Sequence, residues 1–125
     1  MQRTTISAIT SLTLLLLGAT AAFAHAELTR AVPPAGGTVA AAPNEVMVTF
    51  SEQLESAFST VIVRDSGGKQ VDKADAHVDK EDQTIMRVSL QPLLQGIYTV
   101  KWRAVTVDTH RTEGTYTFRV GDDAK

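Results

Sequence analysis

From Gly96 to Ala104 the chain alternates: Tyr98, Val100, Trp102 and Ala104 fall on one side of an extended backbone, and Lys101 and Arg103 fall on the other. Successive side chains of a strand point to opposite faces, so a chain committed to this pattern must find a second layer to cover the apolar side. The same period of two recurs in Val46, Val48 and Phe50, in Val61 and Val63, in Met86, Val88 and Leu90, and in Tyr116, Phe118 and Val120. No segment after residue 25 keeps a 3.6-residue apolar period for three turns, which excludes an amphipathic helix there. A first strand is expected within residues 26 to 33, ended by Pro33-Pro34. Ala35-Gly36-Gly37 and Ala40-Ala41-Ala42-Pro43-Asn44 read as loop, and Asp65-Ser66-Gly67-Gly68 as the turn of a hairpin. Residues 69 to 78 are polar and weakly patterned, as an edge strand or a loop would be. About seven short strands in about a hundred residues predict an all-β Greek-key β-sandwich or barrel of immunoglobulin-like architecture, with Trp102 at the centre of its core. The sequence holds no cysteine, so the fold has no disulfide.

The first residues read differently. Arg3 in a short basic head, an apolar run through Leu12, Leu14, Leu15, Leu16 and Leu17, and small Ala22 and Ala24 are the three parts of an export signal. A transmembrane anchor over residues 5 to 24 is the weaker alternative, because Thr and Ser interrupt the run and no basic stop-transfer flank follows. Cleavage after Ala24 divides the chain into a signal, 1–24, and one domain, 25–125, free of the membrane and with no cysteine to carry a lipid. Loss of Arg3 takes the formal charge from -2 to -3. That balance offers no large basic field for nucleic acid, which is excluded as a partner.

Processing there would leave His25 at the new amino terminus. Its α-amine and imidazole Nδ1 can close a six-membered chelate on one ion, a two-nitrogen bite that suits copper(II). Val107-Asp108-Thr109-His110 offers a complement, a carboxylate and an imidazole two residues apart that share one side of an extended backbone. Together His25, Asp108 and His110 would give one copper(II) ion three nitrogens and an oxygen. Asp-x-His alone is common by chance; the terminal position of His25 raises its weight considerably, since that residue offers two donors at once. His77 between Asp75 and Asp79 reads as a charged strand edge rather than as a second ion site. Met47 and Met86 are the methionines beyond the signal; Met86 lies in the apolar register as core filler, and Met47 on the opposite face makes no copper(I) site alone.

The chain resembles the CopC copper-resistance proteins of the bacterial periplasm. The likeness rests on His25 after the cleavage site, Pro33-Pro34-Ala35-Gly36 with Pro43, Val48 to Glu52 (VTFSE), Gly96 to Val105 (GIYTVKWRAV), Asp108-Thr109-His110, and Gly114 to Val120 (GTYTFRV). It implies a small Greek-key β-sandwich or barrel that holds copper(II) through His25, Asp108 and His110. The implied role is a monomeric periplasmic carrier or buffer rather than an enzyme, with an inner-membrane copper transporter as recipient. Glu52 matches an acidic position from which it would hydrogen-bond the amine or a ligand histidine. The methionine-rich copper(I) loop of some members is missing, since residues 67 to 81 hold no methionine. Arg111 stands where members often have an uncharged residue; it would either weaken the metal or pair with Glu113. Two other readings are an immunoglobulin-like interaction domain and a histidine-brace mono-oxygenase. The second is set aside because Asp108 would fill a plane position and the chain is short for a broad substrate face.

Overall fold

The alternating segments become strands. In this computed structural model, which describes residues 26–121, eight strands follow in chain order: β1 (Leu28–Val32), β2 (Thr38–Val39), β3 (Glu45–Phe50), β4 (Thr60–Asp65), β5 (His77–Val78), β6 (Ile85–Ser89), β7 (Gly96–Val105) and β8 (Arg111–Val120). They form two four-stranded sheets, β1-β3-β6-β5 and β2-β8-β7-β4. Only β5–β6 and β7–β8 are joined as sheet neighbours; every other connection crosses between the sheets. The result is an open two-sheet sandwich, not a closed barrel, and no helix occurs among the described residues. The expected signal, residues 1–24, and His25 lie outside the described residues.

Valines dominate the two facing layers because a β-branched side chain packs well on a pleated surface. Val46 and Val48 of β3, Val61 and Val63 of β4, Val88 of β6 and Val100 of β7 are fully buried, with Met86 and Phe118 between them. Tyr98 stacks on Phe118 at one end of the core, with ring centroids 5.5 Å apart. Phe50 meets Trp102 edge to face at 5.1 Å towards the other end, where β7 runs out at Val105. Trp102, 9% exposed, therefore closes one end of the core, whereas Phe118 and Met86 are fully buried within it.

Two stretches behave differently from their sequence pattern. After the Asp65–Gly68 turn the chain returns along β4 only as far as an isolated bridge, Arg64 to Gln70, and then crosses to the other sheet, where Asp72 bridges Leu90. Buried Asp72 pins the crossing: its carboxylate accepts the Val63 and Ala74 N–H groups, each at 2.8 Å, and the Gln70 side chain at 3.0 Å. The second is β2, two residues between loops. It lies parallel to the end of β8, held by Gly36 N–H to the Thr117 carbonyl at 2.7 Å and Arg119 N–H to the Gly37 carbonyl at 2.9 Å.

β7 and β8 pair over ten residues in unbroken antiparallel register, with Trp102 opposite Gly114. A Cβ at Gly114 would stand 2.4 Å from Trp102 Cζ2 and 2.6 Å from Cε2, far inside van der Waals contact. The indole thus occupies the space that any other residue at 114 would need. Gly114→Ala should cost at least ~2 kcal/mol of stability through overpacking, read as a lower denaturant midpoint with unchanged slope. A Gly114→Ala protein as stable as the parent would show that the indole moves aside freely.

Candidate metal centre

The five residues between β7 and β8, 106 to 110, carry the Asp-x-His pair, and a buried threonine shapes them. Thr106 is 2% exposed. Its N–H donates to the His110 carbonyl at 2.8 Å and its carbonyl accepts the Thr109 N–H at 2.9 Å, closing the hairpin. Its hydroxyl donates to Asp108 Oδ1 in a very short contact and accepts the His110 N–H at 3.1 Å. One side chain thereby fixes both candidate ligand residues. Thr109 has φ of 70°, a left-handed conformation that a β-branched residue adopts only when its surroundings require it.

That turn changes the reason why Asp108 and His110 meet. Extended backbone was expected to place them on one side, whereas the strand ends at Val105 and the left-handed Thr109 folds the chain back. His110 Nδ1 and Asp108 Oδ1 come within 3.5 Å, with the two side chains 34% and 57% exposed. This is long for a hydrogen bond and suits two donors each about 2 Å from one ion. The Thr106 hydroxyl above all, with the neighbouring His110, holds the Asp108 carboxyl below its ordinary value of 3.8, so it stays ionised as a ligand must.

A second segment is stitched to the same end. Glu55 N–H donates to the Val105 carbonyl at 2.7 Å, Val107 N–H to the Gln53 carbonyl at 3.3 Å, and Leu54 bridges Thr106. Buried Ser59 exchanges hydrogen bonds with both backbone groups of Val105. Half-buried Glu52 sits in this segment between Ser51 and Gln53. Ser51 in turn exchanges two hydrogen bonds with Glu27, each at 2.9 Å. Buried Ala26 gives its carbonyl to the Thr112 hydroxyl at 2.9 Å, two residues beyond His110. The described chain thus begins beside the start of β8, one peptide bond after His25, which itself lies outside the described residues.

Other candidates are used structurally. Asp75 accepts the Ser89 N–H at 2.8 Å, Asp79 accepts the Arg87 guanidinium at 2.9 Å, and His77 Nδ1 lies 2.9 Å from the Asp75 carbonyl. Among the described residues no three His, Asp or Glu side chains converge as a metal site. Glu113 reaches Arg103, at 3.9 Å, and not Arg111. Thr106 and Thr112 were not singled out from the sequence; a threonine two residues before an aspartate is a local hydrogen-bonding signal, but too common to mark a site.

Replacing Thr106 by valine should leave the core filled and remove both hydroxyl bonds. Asp108 should then titrate closer to 3.8, followed by its carboxyl chemical shift. A depressed folded pKa contributes stability above the unfolded value and loses it as pH falls through the folded value. The parent's stability advantage over Thr106→Val should therefore shrink on acidification below about pH 4. An advantage independent of pH would mean that the hydroxyl does not act through Asp108.

Comparison with known proteins places these features in a family. A CopC domain model matches residues 28–121. Protein YobA of Escherichia coli K12 is 38% identical over 99 residues, 78% of this chain and 80% of that protein. Copper resistance protein C of Escherichia coli is 36% identical over 106 residues, 79% of this chain and 83% of its own length. The crystal structure of PcoC, a methionine-rich copper resistance protein from Escherichia coli, superposes with a TM-score of 0.69 at 37% identity, covering 78% of this chain and 99% of that one. This chain belongs to the CopC domain family.

Proposed function

We propose that the protein is exported to the periplasm and there binds one copper(II) ion through His25, Asp108 and His110, as a carrier or buffer in copper resistance or homeostasis. The observation that carries this reading is the Thr112 to Ala26 hydrogen bond, which ties the residue after His25 to the strand that starts just past His110. Relatives named for copper resistance support the copper assignment. Asp108 is held ionised and the His110 backbone is anchored, so less of this segment remains to be ordered on binding.

The donor set also sets the oxidation state. Imidazole, amine and carboxylate favour copper(II), whereas copper(I) prefers clustered thioethers or thiolates. Met86 is fully buried and Met47 half-buried on the other face of the first sheet, so no thioether cluster forms among the described residues. Cargo is bound oxidised and released on reduction, to an inner-membrane copper transporter as recipient. Glu52 hydrogen-bonds the amine or a ligand histidine and orients it.

Secreted protein should begin at His25 by mass spectrometry and give a nitrogen-rich tetragonal copper(II) signal by electron paramagnetic resonance. One residue added before His25 should abolish that signal by converting the amine to an amide. His110→Ala should do the same, and Glu52→Gln should weaken binding by about 10–100-fold. An unchanged signal in the extended protein would overturn the site. Titration with copper(I) against a competing chelator should show weak binding only; a tight complex would overturn the copper(II) assignment.

A further inference from the structure

Of the ten Lys and Arg among the described residues, five share one sheet face. Arg64 of β4, Lys101 and Arg103 of β7, and Arg111 and Arg119 of β8 all take outward positions in the alternation; four are exposed and Arg103 is half-buried. Glu113 is the one carboxylate among the outward residues of these strands, so five cations against one acid leave the face strongly positive. Its reach to Arg103 is 3.9 Å, and among the described residues Arg64, Lys101, Arg111 and Arg119 have no ion-pair partner. The other sheet has exposed Arg30 at its edge but neutralises its centre. Its central cation, Arg87, is clamped by Glu45 at 2.7 Å and Asp79 at 2.9 Å, with Glu81 and Asp82 nearby in the chain.

We propose that the outer face of the β4–β7–β8 sheet docks the protein flat on an anionic lipid surface. The charges are spread, not focused: from Arg111 to Arg119 is about 27 Å of strand, with Thr115 and Thr117 between. Shallow depressions of about 230 Å³, beside Arg64, Lys101 and Arg103, and about 340 Å³, beside Ile97, Thr117 and Arg119, open on this face rather than one deep cleft. Mobile headgroups can move to meet such an array, whereas a folded acidic partner needs a packed apolar centre and fixed complementary positions. At the end away from the β7–β8 loop, Leu94 is 82% exposed and Ile97 44% exposed, the latter paired with Arg119, as suits shallow insertion between headgroups. Carboxylates of the opposite sheet stand a further ~10 Å away, beyond a Debye length of about 8 Å at physiological salt. The overall negative charge therefore does not cancel the attraction.

The test is co-sedimentation of the protein, recovered after expression of the full chain, with vesicles of phosphatidylglycerol and phosphatidylcholine, against phosphatidylcholine alone. Binding should require phosphatidylglycerol and fall with added salt. Reversing three face charges (Arg64→Glu, Lys101→Glu, Arg119→Glu) should weaken it by at least about 100-fold, at about fivefold for each basic side chain lost. The control triple Lys69→Glu, Lys73→Glu, Lys80→Glu makes the same change in net charge off the face and should stay within a few-fold of the parent. Circular dichroism checks the fold of both, and Lys101→Glu alone, expected to weaken binding at least fivefold, serves if the triple does not fold. Absence of phosphatidylglycerol-dependent binding, or equal losses in both triples, would overturn the proposal. Face-dependent capture of a polyglutamate peptide without vesicle binding would assign the face to an acidic protein instead, and overturn it too.

Discussion

Trp102 lying across Gly114 holds β7 and β8 in a single register. A slip of one residue would set the indole against Glu113 or Thr115 and turn every side chain of the strand to the wrong face. That register sets Val105 opposite Arg111, so the chain must turn within residues 106 to 110, where Thr106 and Thr109 shape the turn. A steric fact some distance away in the ladder thus aligns the two arms of the turn that carries the candidate metal ligands. Phe50, edge-on to the same indole, leads directly into Ser51 and Glu52, so the neighbouring segment takes its position from the same ring.

Most of the fold was legible because its strands carry the alternation of a half-buried sheet; β3, β4, β6, β7 and β8 need no other signal. β2 was not, because two residues cannot show a period and Thr38-Val39 pairs only where Gly36 and Gly37 bring it beside β8. The return from the Asp65 turn was half legible. Its turn residues were plain, but the switch to the other sheet depends on Asp72 capping backbone groups that lie beyond it in space. In the site, Asp108 and His110 were legible as residue types and their closeness was not, since it comes from Thr109 and the Thr106 hydroxyl rather than from strand geometry.

Net charge and charge placement are separate quantities. A formal balance of -2 says that no basic field dominates the chain, yet it carries no information about position. The outward places of Lys101 and Arg103 could be read from the alternation of one strand. Setting Arg64 and Arg119 on the same face needs the order β8-β7-β4, which no local pattern contains.

The sandwich also separates its points of entry and exit. Ala26 is tied to Thr112 near one end of β8, and Gly121 donates its N–H to the Val39 carbonyl at the other, about 31 Å of strand away. A tether, label or fused domain joined after Gly121 would therefore leave the loop of Asp108 and His110 facing open solvent. The same addition before Ala26 would crowd it. Attachment to this protein is directional: for immobilising it on a sensor or linking it to a larger assembly, the carboxyl-terminal side is the one that keeps the loop accessible.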